Sequence, residues 1–319
     1  GKIYELKSNI GYIYNILYTI LNKQSHTLLY ILLSVAMATW GLSWTNGKIL
    51  SQYCSSSILA FWRFFLSSIF MIPVLLITKN NFKVNFEGIK YIFVGSILMF
   101  SYNIFFFMGT NLGFANIGGV FVPTLNPIIT FILSVIIFRE KIYNKDFIGL
   151  AFGICGGIIV LEAWNLSTGH MIANGNLFFL FASISWGILS IISGKSHNAV
   201  ATLTFSFWVY FISSLFCLFI NVNNNILVVM NFDFVFWFNL IILSIGAQVF
   251  GTTVYFIATT KLGPSKASSF IFLVPITAPI FSMFLIGEKL GINTIIGGIM
   301  TTTAVYLINK KKIQTEPID

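Results

Sequence analysis

One pattern occurs twice in this chain, as Pro127-Ile-Ile-Thr-Phe-Ile-Leu-Ser-Val-Ile-Ile-Phe-Arg-Glu-Lys141 and as Pro275-Ile-Thr-Ala-Pro-Ile-Phe-Ser-Met-Phe-Leu-Ile-Gly-Glu-Lys289. The two copies lie 148 residues apart, and in both a glutamate follows the first proline by thirteen residues. Each copy belongs to a half of the chain with an odd number of apolar spans. A repeat with an odd number of spans enters the membrane in opposite directions in its two copies. The pattern therefore predicts an inverted repeat, the architecture of many secondary transporters.

The composition indicates a chain surrounded by lipid. Hydrophobic residues make up 57% of the 319 residues, and charged residues only 8%. A soluble domain carries about 25% charged residues. The net charge of +9 does not indicate a nucleic-acid partner, because the lysines are scattered over short loops. We expect a lipid bilayer around the chain and no nucleic acid.

Ten stretches are long and apolar enough to cross a bilayer, which takes about 20 residues each. They lie at 28–47, 57–78, 91–110, 115–138, 147–164, 176–194, 201–220, 234–257, 267–287 and 291–308. The predicted fold class is an all-α integral membrane protein with ten transmembrane helices in two inverted five-helix repeats. Its parts are a cytoplasmic or interfacial N-terminal segment 1–25, a first repeat 26–164, a linker 165–175, a second repeat 176–309 and a cytoplasmic tail 310–319.

The basic residues predict the orientation. With the N-terminus inside, fifteen lysines and arginines fall in inner segments, and only Lys48 and Lys289 fall in outer loops. Cytoplasmic loops carry such an excess of positive charge. We therefore expect both termini in the cytoplasm and the protein in the inner or plasma membrane.

Further matches between the halves extend the repeat over nearly the whole chain. Their order along the two halves is the same, at offsets of 146 to 150 residues. The matches are Trp40-Gly41 with Trp186-Gly187, Phe61-Trp62 with Phe207-Trp208, Ser67-Ser68 with Ser213-Ser214, Asn111-Leu-Gly113 with Lys261-Leu-Gly263, and Gly149 with Gly297.

From His26 to Asn309 the chain resembles the drug/metabolite transporter superfamily, specifically its EamA-type ten-span permeases. The resemblance rests on three features: Trp40-Gly41 followed by Lys48, Arg63-Phe64, and the two Pro to Glu-Lys runs. It implies a permease that moves a small organic metabolite by alternating access, without ATP. An amino acid or related compound is the leading cargo, export is the expected direction, and spans 1, 3, 4, 6, 8 and 9 are expected to surround the cavity. The alternative is a non-transporting membrane protein that handles lipid or assists membrane assembly.

Signatures of enzymes are missing from the sequence. Gly194-Lys195-Ser196 resembles the end of a phosphate-binding loop, but Leu189 stands where that loop needs glycine. The cysteines and histidines show no metal-ligand spacing. We therefore expect no enzymatic activity, no metal and no cofactor.

Polar and aromatic side chains deep in the spans are the candidate substrate contacts. Burying an amide without a partner costs about 2–7 kcal/mol, so these side chains should face the interior. Their competing role is helix–helix hydrogen bonding, worth about 0.6 kcal/mol on average in membranes. We expect Asn103 and Gln248 to make the principal polar contacts. The candidate substrate-binding residues are Trp40, Trp44, Tyr102, Asn103, Asn116, Asn126, Trp186, Gln248 and Tyr255.

Prolines inside two spans are candidate hinges. Pro127 and Pro275 each remove one backbone hydrogen bond, which leaves the carbonyls of Pro123 and Ile271 without their usual donors. Pro279 adds a second break. Equivalent positions in both halves favour a role in hinging, whereas a simple kink is the competing interpretation.

Two charges and one glycine face complete the candidates. Arg63 and Glu162 lie inside spans. Either they pair with each other, or Arg63 holds an outer gate or an anionic group of the substrate; the competing interpretation is that both reach the membrane surface by snorkelling. Gly149, Gly153 and Gly157 form a small-residue face in span 5 that allows close helix packing. The partner of that face is either a neighbouring span or a second subunit of a homodimer.

Overall fold

The computed structural model describes residues 26–112, 115–139, 143–160, 164, 176–286 and 291–310. The regular structure in these residues is helical. The first half forms helices α1 to α5, at His26–Leu50, Ser56–Ile77, Phe86–Leu112, Ala115–Phe138 and Asn144–Val160. The second half forms α6 to α10, at Asn176–Ser196, Thr202–Ile220, Phe234–Leu262, 264–286 and Ile292–Asn309.

Two helices of the second half are not uniform. α8 contains a π-helical segment at Ile242–Thr252 between two α-helical segments, Phe234–Ile241 and Thr253–Leu262. α9 contains a 3-10 turn at Phe270–Leu273, immediately before Pro275. Departures from α-helical hydrogen bonding are uncommon, and π segments are frequent at functional sites.

The π segment accounts for a shift in the repeat. Ser96 and Ser244 are equivalent at an offset of 148 residues, whereas Asn111 and Lys261 are equivalent at an offset of 150. The second copy therefore has two additional residues between these points. A π-helix fits more residues into each turn because its hydrogen bonds run from residue i to i+5. α3, the equivalent of α8 in the first half, is α-helical throughout.

The predicted fold class is confirmed, with differences at the ends of the helices. α3 begins at Phe86 and not at residue 91, because Asn85 Oδ1 accepts the Gly88 N–H at 2.7 Å and caps the first turn. α8 continues to Leu262, five residues beyond the predicted end. It ends where Gly263 adopts a φ of 86°, a conformation that favours glycine.

The outer surface of the helices suits a bilayer. Nine helices among the described residues are long and apolar enough to cross a membrane. α5 has 17 residues in the described part of the chain and completes the ten. Large apolar side chains such as Leu76, Phe219 and Phe284 are mostly exposed on this surface. Lipid contact explains such exposure, which would be costly in water.

Pairs of equivalent hydrogen bonds reveal a two-fold relation between the halves. The Trp62 indole N–H donates to the Ile226 carbonyl at 2.8 Å, and the equivalent Trp208 donates to the Phe82 carbonyl at 2.9 Å. In each bond, one half supplies the side chain and the other half supplies the carbonyl. Such reciprocal contacts are the mark of two-fold symmetry.

Two serines repeat this reciprocity at the centre of the fold. Ser67 Oγ of α2 donates to the Ser244 carbonyl of α8 at 3.3 Å. Its equivalent, Ser213 Oγ of α7, donates to the Ser96 carbonyl of α3 at 3.1 Å. The pseudo-two-fold relation therefore extends from the loops into the core.

Close helix crossings follow the same relation. A Cβ on Gly41 of α1 would overlap Thr277 of α9, and a Cβ on Gly187 of α6 would overlap Ile129 of α4. Ile129 and Thr277 are equivalent residues, 148 positions apart. Small residues at these crossings let the helix backbones approach closely, as is common within membranes.

The helices of the two halves are interlocked. α1 packs against α8 and α9, and α6 packs against their equivalents α3 and α4. α2 packs with α7, and α5 packs with α10. Because five helices cross the membrane an odd number of times, a two-fold relation between the halves makes them inverted. The interlocked helices place a shared interior on the pseudo-two-fold axis.

The glycine face of α5 is covered within the chain. A Cβ on Gly149 would meet Ile308 of α10, and a Cβ on Gly153 would meet Phe272 of α9. A Cβ on Gly157 would overlap Thr124 of α4. This is the neighbouring-span alternative, so the face gives no support to a second subunit, and the homodimer stays a prediction.

Candidate functional site

A small cavity lies where helices of both halves meet. Helices α1, α3, α4, α6, α8 and α9, which the sequence predicts around a cavity, all contribute to its wall, and α2 adds Arg63. The lining residues are Trp40, Ser43, Trp44, Arg63, Tyr102, Phe106, Val122, Pro123, Asn126, Trp186, Thr252, Ile271 and Val274.

Aromatic rings form much of the wall. The equivalent residues Trp40 and Trp186 meet edge to face, with ring centroids 4.9 Å apart and an interplanar angle of 89°. Tyr102 lies 4.7 Å from the Trp186 ring, and Trp44 lies 4.8 Å from Phe106. Each such aromatic pair is worth about 0.5–1.5 kcal/mol beyond the area it buries. The rings hold one another in a rigid wall.

The two tryptophans differ in their hydrogen bonds. Trp40 Nε1 donates to the carbonyl of Ala247, within the π segment of α8, at 3.1 Å. Trp186 Nε1 lies near the Tyr255 hydroxyl but outside good hydrogen-bonding geometry, and the two rings pack 5.5 Å apart. The Tyr255 hydroxyl is bonded to Ser190 Oγ at 2.7 Å. The wall therefore holds one fixed indole N–H and one without an acceptor.

Among the described residues that line the cavity, Arg63 is the one that carries a charge. Its side chain is 5% exposed and points inward, where Nη1 donates to Asn103 Oδ1 at 2.8 Å. The guanidinium also lies over the Phe106 ring, 5.8 Å from its centroid. Nε has no hydrogen-bond partner, and no carboxylate among the described residues lies within 4.0 Å. Arg63 is therefore a buried cation with one neutral partner, and it does not snorkel to the membrane surface.

Asn126 adds an acceptor to the same cavity. Its side chain is 3% exposed, and Oδ1 has no hydrogen-bond partner. Pro127 follows directly, and Pro123 lies one turn earlier in the cavity wall. A buried polar atom without a partner is rare and calls for an explanation such as a ligand.

The polar groups belong almost wholly to the first half. Arg63 is equivalent to Val209, at an offset of 146 residues, and Asn126 is equivalent to Val274, at an offset of 148. Val274 lines the same cavity as its polar counterpart Asn126. The backbones of the two halves therefore follow the pseudo-two-fold symmetry, whereas the side chains of the cavity wall do not.

Three predicted substrate contacts lie behind the wall. Asn103 is fully buried, and its Nδ2 donates to the Met99 carbonyl at 3.0 Å while Oδ1 holds Arg63. Gln248 is 1% exposed, with Nε2 3.5 Å from Met99 Sδ. Tyr255 supports Trp40 at a ring distance of 5.2 Å. These residues position the wall in this conformation and do not line the cavity.

Five predicted contacts lie in the wall, and two predicted residues lie outside what the structure describes. Trp40, Trp44, Tyr102, Asn126 and Trp186 come together around the cavity. The side chain of Asn116 and the whole of Glu162, the predicted partner of Arg63, belong to the part of the chain outside the described residues.

Sequence reasoning missed several wall residues that its own patterns contain. Ser43 and Phe106 stand three and four residues after predicted wall residues, on the same helix faces. Ile271 and Val274 are the repeat equivalents of Pro123 and Asn126. Mapping each predicted residue through the repeat would have found the apolar side of the cavity. Thr252 carries no such signal, because the π segment shifts the register of α8.

The cavity is narrow in this structure. Its volume is about 20 Å³, room for about one water molecule. Sites for small organic ligands measure about 300–1,000 Å³. A small organic ligand would therefore need more space than the cavity has in this conformation.

Comparisons with known proteins agree with this architecture. The profile of the EamA-like transporter family matches residues 27–162 and again residues 173–310. The chain belongs to the EamA-like transporter family. It is accordingly an integral membrane protein and a transporter, built from two copies of the family's unit.

Relatives cover most of the chain. An uncharacterized transporter of Buchnera aphidicola subsp. Schlechtendalia chinensis, described by its position in the trpA 3' region, is 29% identical, over 92% of this chain and 94% of its own. The uncharacterized transporter YyaM of Bacillus subtilis is 25% identical, over 89% and 96%. One crystal structure superposes with a TM-score of 0.71 at 14% identity, over 90% of this chain and 98% of the other, which shows a shared fold.

Proposed function

We propose that this member of the family is a secondary transporter that moves a small organic metabolite, with an amino acid or a related compound as the leading cargo, by alternating access. The observation that carries the proposal is the narrow cavity between two inverted, interlocked halves. Its wall combines aromatic rings with Arg63 and Asn126, whose Nε and Oδ1 atoms have no hydrogen-bond partner. The residues support binding and release, and we infer no covalent chemistry and no cofactor.

One set of contacts closes the cavity on the side where α1 ends and α8 begins. Trp62 bonds the Ile226 carbonyl at 2.8 Å, Ser57 Oγ donates to Asn221 Oδ1 at 2.8 Å, and the Tyr53 hydroxyl donates to Asp233 at 2.9 Å. The N–H of Phe236 and the Tyr53 hydroxyl lower the pKa of Asp233 below its usual value, so its carboxylate stays charged at neutral pH. We call this set of contacts the α2 latch.

An equivalent set closes the opposite side. Trp208 of α7 bonds the Phe82 carbonyl at 2.9 Å, and Thr204 Oγ1 donates to the Asn81 carbonyl at 2.7 Å. We call this set the α7 latch. Because the halves are inverted, the two latches lie toward opposite faces of the membrane. Alternating access then consists of opening one latch while the other stays closed.

Helices α4 and α9, which contain internal prolines, are suited to this movement. Pro127 in α4 and Pro275 in α9 occupy equivalent positions, and the wall residues Pro123 and Ile271 lie one turn before them. Missing backbone hydrogen bonds lower the cost of bending a helix. In this mechanism α4 and α9 bend as the halves rock, with Pro279 as a further point of flexure.

Orientation and direction complete the proposal. The excess of basic residues in the predicted inner loops supports an orientation with both termini in the cytoplasm of an inner or plasma membrane. In this orientation the α2 latch is outside and the α7 latch is inside. Export is inferred from the family resemblance and not from the cavity.

Counterflow in proteoliposomes tests the proposal. Vesicles with purified protein are preloaded with a mixture of amino acids, nucleosides and polyamines, and entry of each labelled compound is followed. We expect one class to enter faster than in protein-free vesicles, and a Trp186→Ala variant to lose that entry. Folded protein that exchanges none of the classes would argue against the proposal.

A lipid-handling role is the second candidate, and one surface feature favours it. An apolar groove of about 530 Å³ runs between α9 and α10, lined by residues such as Ile276, Ile280 and Tyr306. The groove is on the outside of the helices and is separate from the central cavity. Scrambling of labelled phospholipid in the same vesicles, without any counterflow, would favour this role.

A further inference from the structure

We propose that Arg63 binds the carboxylate of the transported molecule and that Asn126 accepts a hydrogen bond from an N–H or O–H group beside that carboxylate. The inference rests on the transport function proposed above and specifies its substrate. Asn103 occupies only one side of the guanidinium in the closed state. Arg63 lines the cavity, and its Nε has no hydrogen-bond partner.

The buried positive charge of Arg63 favours binding of an anion. A buried arginine is costly unless its charge is paired. The amide oxygen of Asn103, 2.8 Å from Nη1, supplies a dipole but no charge. The planar guanidinium matches a carboxylate with two parallel hydrogen bonds, which a neutral amide oxygen does not replace. The cavity is therefore built to select against cations and in favour of one carboxylate.

The unpartnered Oδ1 of Asn126 restricts the chemical class of the substrate. An amide oxygen is an acceptor only, so its partner must carry a hydrogen on nitrogen or oxygen. An α-amino acid and a 2-hydroxy acid both have such a donor next to the carboxylate. A 2-oxo acid has an acceptor in that place, which would leave Asn126 Oδ1 unpaired.

The apolar wall residues limit the rest of the substrate. Ile271 and Val274 of α9 carry no polar side-chain atoms, and they line the same cavity as the polar groups. Trp40 and Trp186 line it as well and meet edge to face. An aliphatic or aromatic side chain suits this surface, whereas a charged one would be desolvated without a partner. The inferred substrate is a small carboxylate with an adjacent donor and an apolar side chain.

Binding to the wild-type protein tests the inference without any mutation. A ligand that binds the folded state raises its thermal midpoint. The probes are leucine and phenylalanine, their carboxamides, the two corresponding 2-hydroxy acids and the two 2-oxo acids. We expect stabilisation by the amino acid or by the hydroxy acid of at least one set, with binding of the oxo acid about tenfold weaker and of the carboxamide about 10- to 100-fold weaker. If the amino acid binds better than the hydroxy acid, the donor is an ammonium group; if the hydroxy acid binds better, the donor is a hydroxyl group.

Charge-matched variants then assign the effect to Arg63. Arg63→Gln should reduce the affinity for the acid to that for the carboxamide, whereas Lys90→Gln removes the same charge from an exposed site and should leave the preference unchanged. Arg63→Lys keeps the charge without the planar fork and should retain part of the preference, which serves as the test if Arg63→Gln does not fold.

Two results would overturn the inference. One is equal stabilisation by acids and carboxamides. The other is no stabilisation by any probe of folded wild-type protein. Either result leaves the transport proposal to the counterflow assay. Acid-selective binding by a protein without counterflow would instead contradict transport and keep the binding site.

Discussion

The two halves of this transporter share a backbone and differ in what they present to the cavity. The first half presents Arg63 and Asn126, whereas the second half has Val209 and Val274 at the equivalent positions. The tryptophan bonds of the two latches, the close glycine crossings and the central serine bonds are found in both halves. The repeat therefore determines the architecture and the proposed rocking movement, while divergence at a few wall positions determines the polarity of the cavity.

Helices α3 and α8, which are equivalent in the two halves, also differ from each other. α3 is a regular α-helix, and α8 accommodates two additional residues through its π segment. That segment holds Ala247, whose carbonyl fixes Trp40 at 3.1 Å. The equivalent Trp186 has no such acceptor. Asymmetry in one helix is therefore linked to asymmetry in the tryptophan pair.

The largest expected effect tests the shared architecture. Gly41→Ala should destabilise the protein by about 3 kcal/mol, because its Cβ would meet both Thr277 and the backbone nitrogen of Ala278, the latter at 2.8 Å. Gly187→Ala should cost less, about 1–2 kcal/mol, because the Ile129 side chain is able to give way. Thermal midpoints in detergent measure both. The control is Gly246→Ala, whose Cβ would meet nothing closer than 4.0 Å, and a midpoint lowered as far as in Gly41→Ala would contradict the account.

The next effect tests the difference between the cavity walls. Asn126→Val gives the first half the residue that the second half has, and transport should fall by about tenfold as one hydrogen bond is lost. Val274→Ala changes the apolar side and should alter the preference for side-chain size while most of the rate is kept. Initial rates of counterflow measure both variants. Equal losses in the two variants would show that the wall is not divided into polar and apolar sides.

The latches should respond in opposite directions. Trp62→Phe removes one hydrogen bond of the α2 latch, and Trp208→Phe removes its equivalent in the α7 latch. Each bond is worth about 0.5–1.5 kcal/mol, enough to shift the open and closed populations by about 2- to 10-fold. Spin-label distances across each face measure the shift. If both variants opened the same face, the latches would not be equivalent.

The smallest effect separates the two cavity tryptophans. Trp40→Phe loses the bond to Ala247 and should destabilise the protein by about 1 kcal/mol more than Trp186→Phe, which loses no hydrogen bond in the closed state. Chemical or thermal denaturation in detergent measures the difference. Equal stabilities would mean that the π segment does not hold Trp40.

The sequence predicts most of this fold and part of its site. Span number, order and inversion follow from apolar length and from the repeat, because the bilayer allows few alternatives to helices. Five wall residues follow from depth and pairing. The π segment does not, because apolar patterning is nearly the same for both helix types, and only the change of offset from Ser244 to Lys261 signals it. The sequence also does not predict the inward position of Arg63, because its partner Asn103 is 40 residues away in the sequence and lies on another helix.

We propose that the central cavity becomes accessible from each membrane face in turn. Ser43 lines that cavity and is 7% exposed, so a Ser43→Cys variant in a background without Cys54, Cys155 and Cys217 places a thiol there. A membrane-impermeant thiol reagent is then applied to intact cells and to inside-out vesicles. The account predicts labelling from both sides, with protection by the transported compound on both. Labelling from one side only, or labelling that the compound does not slow, would contradict it.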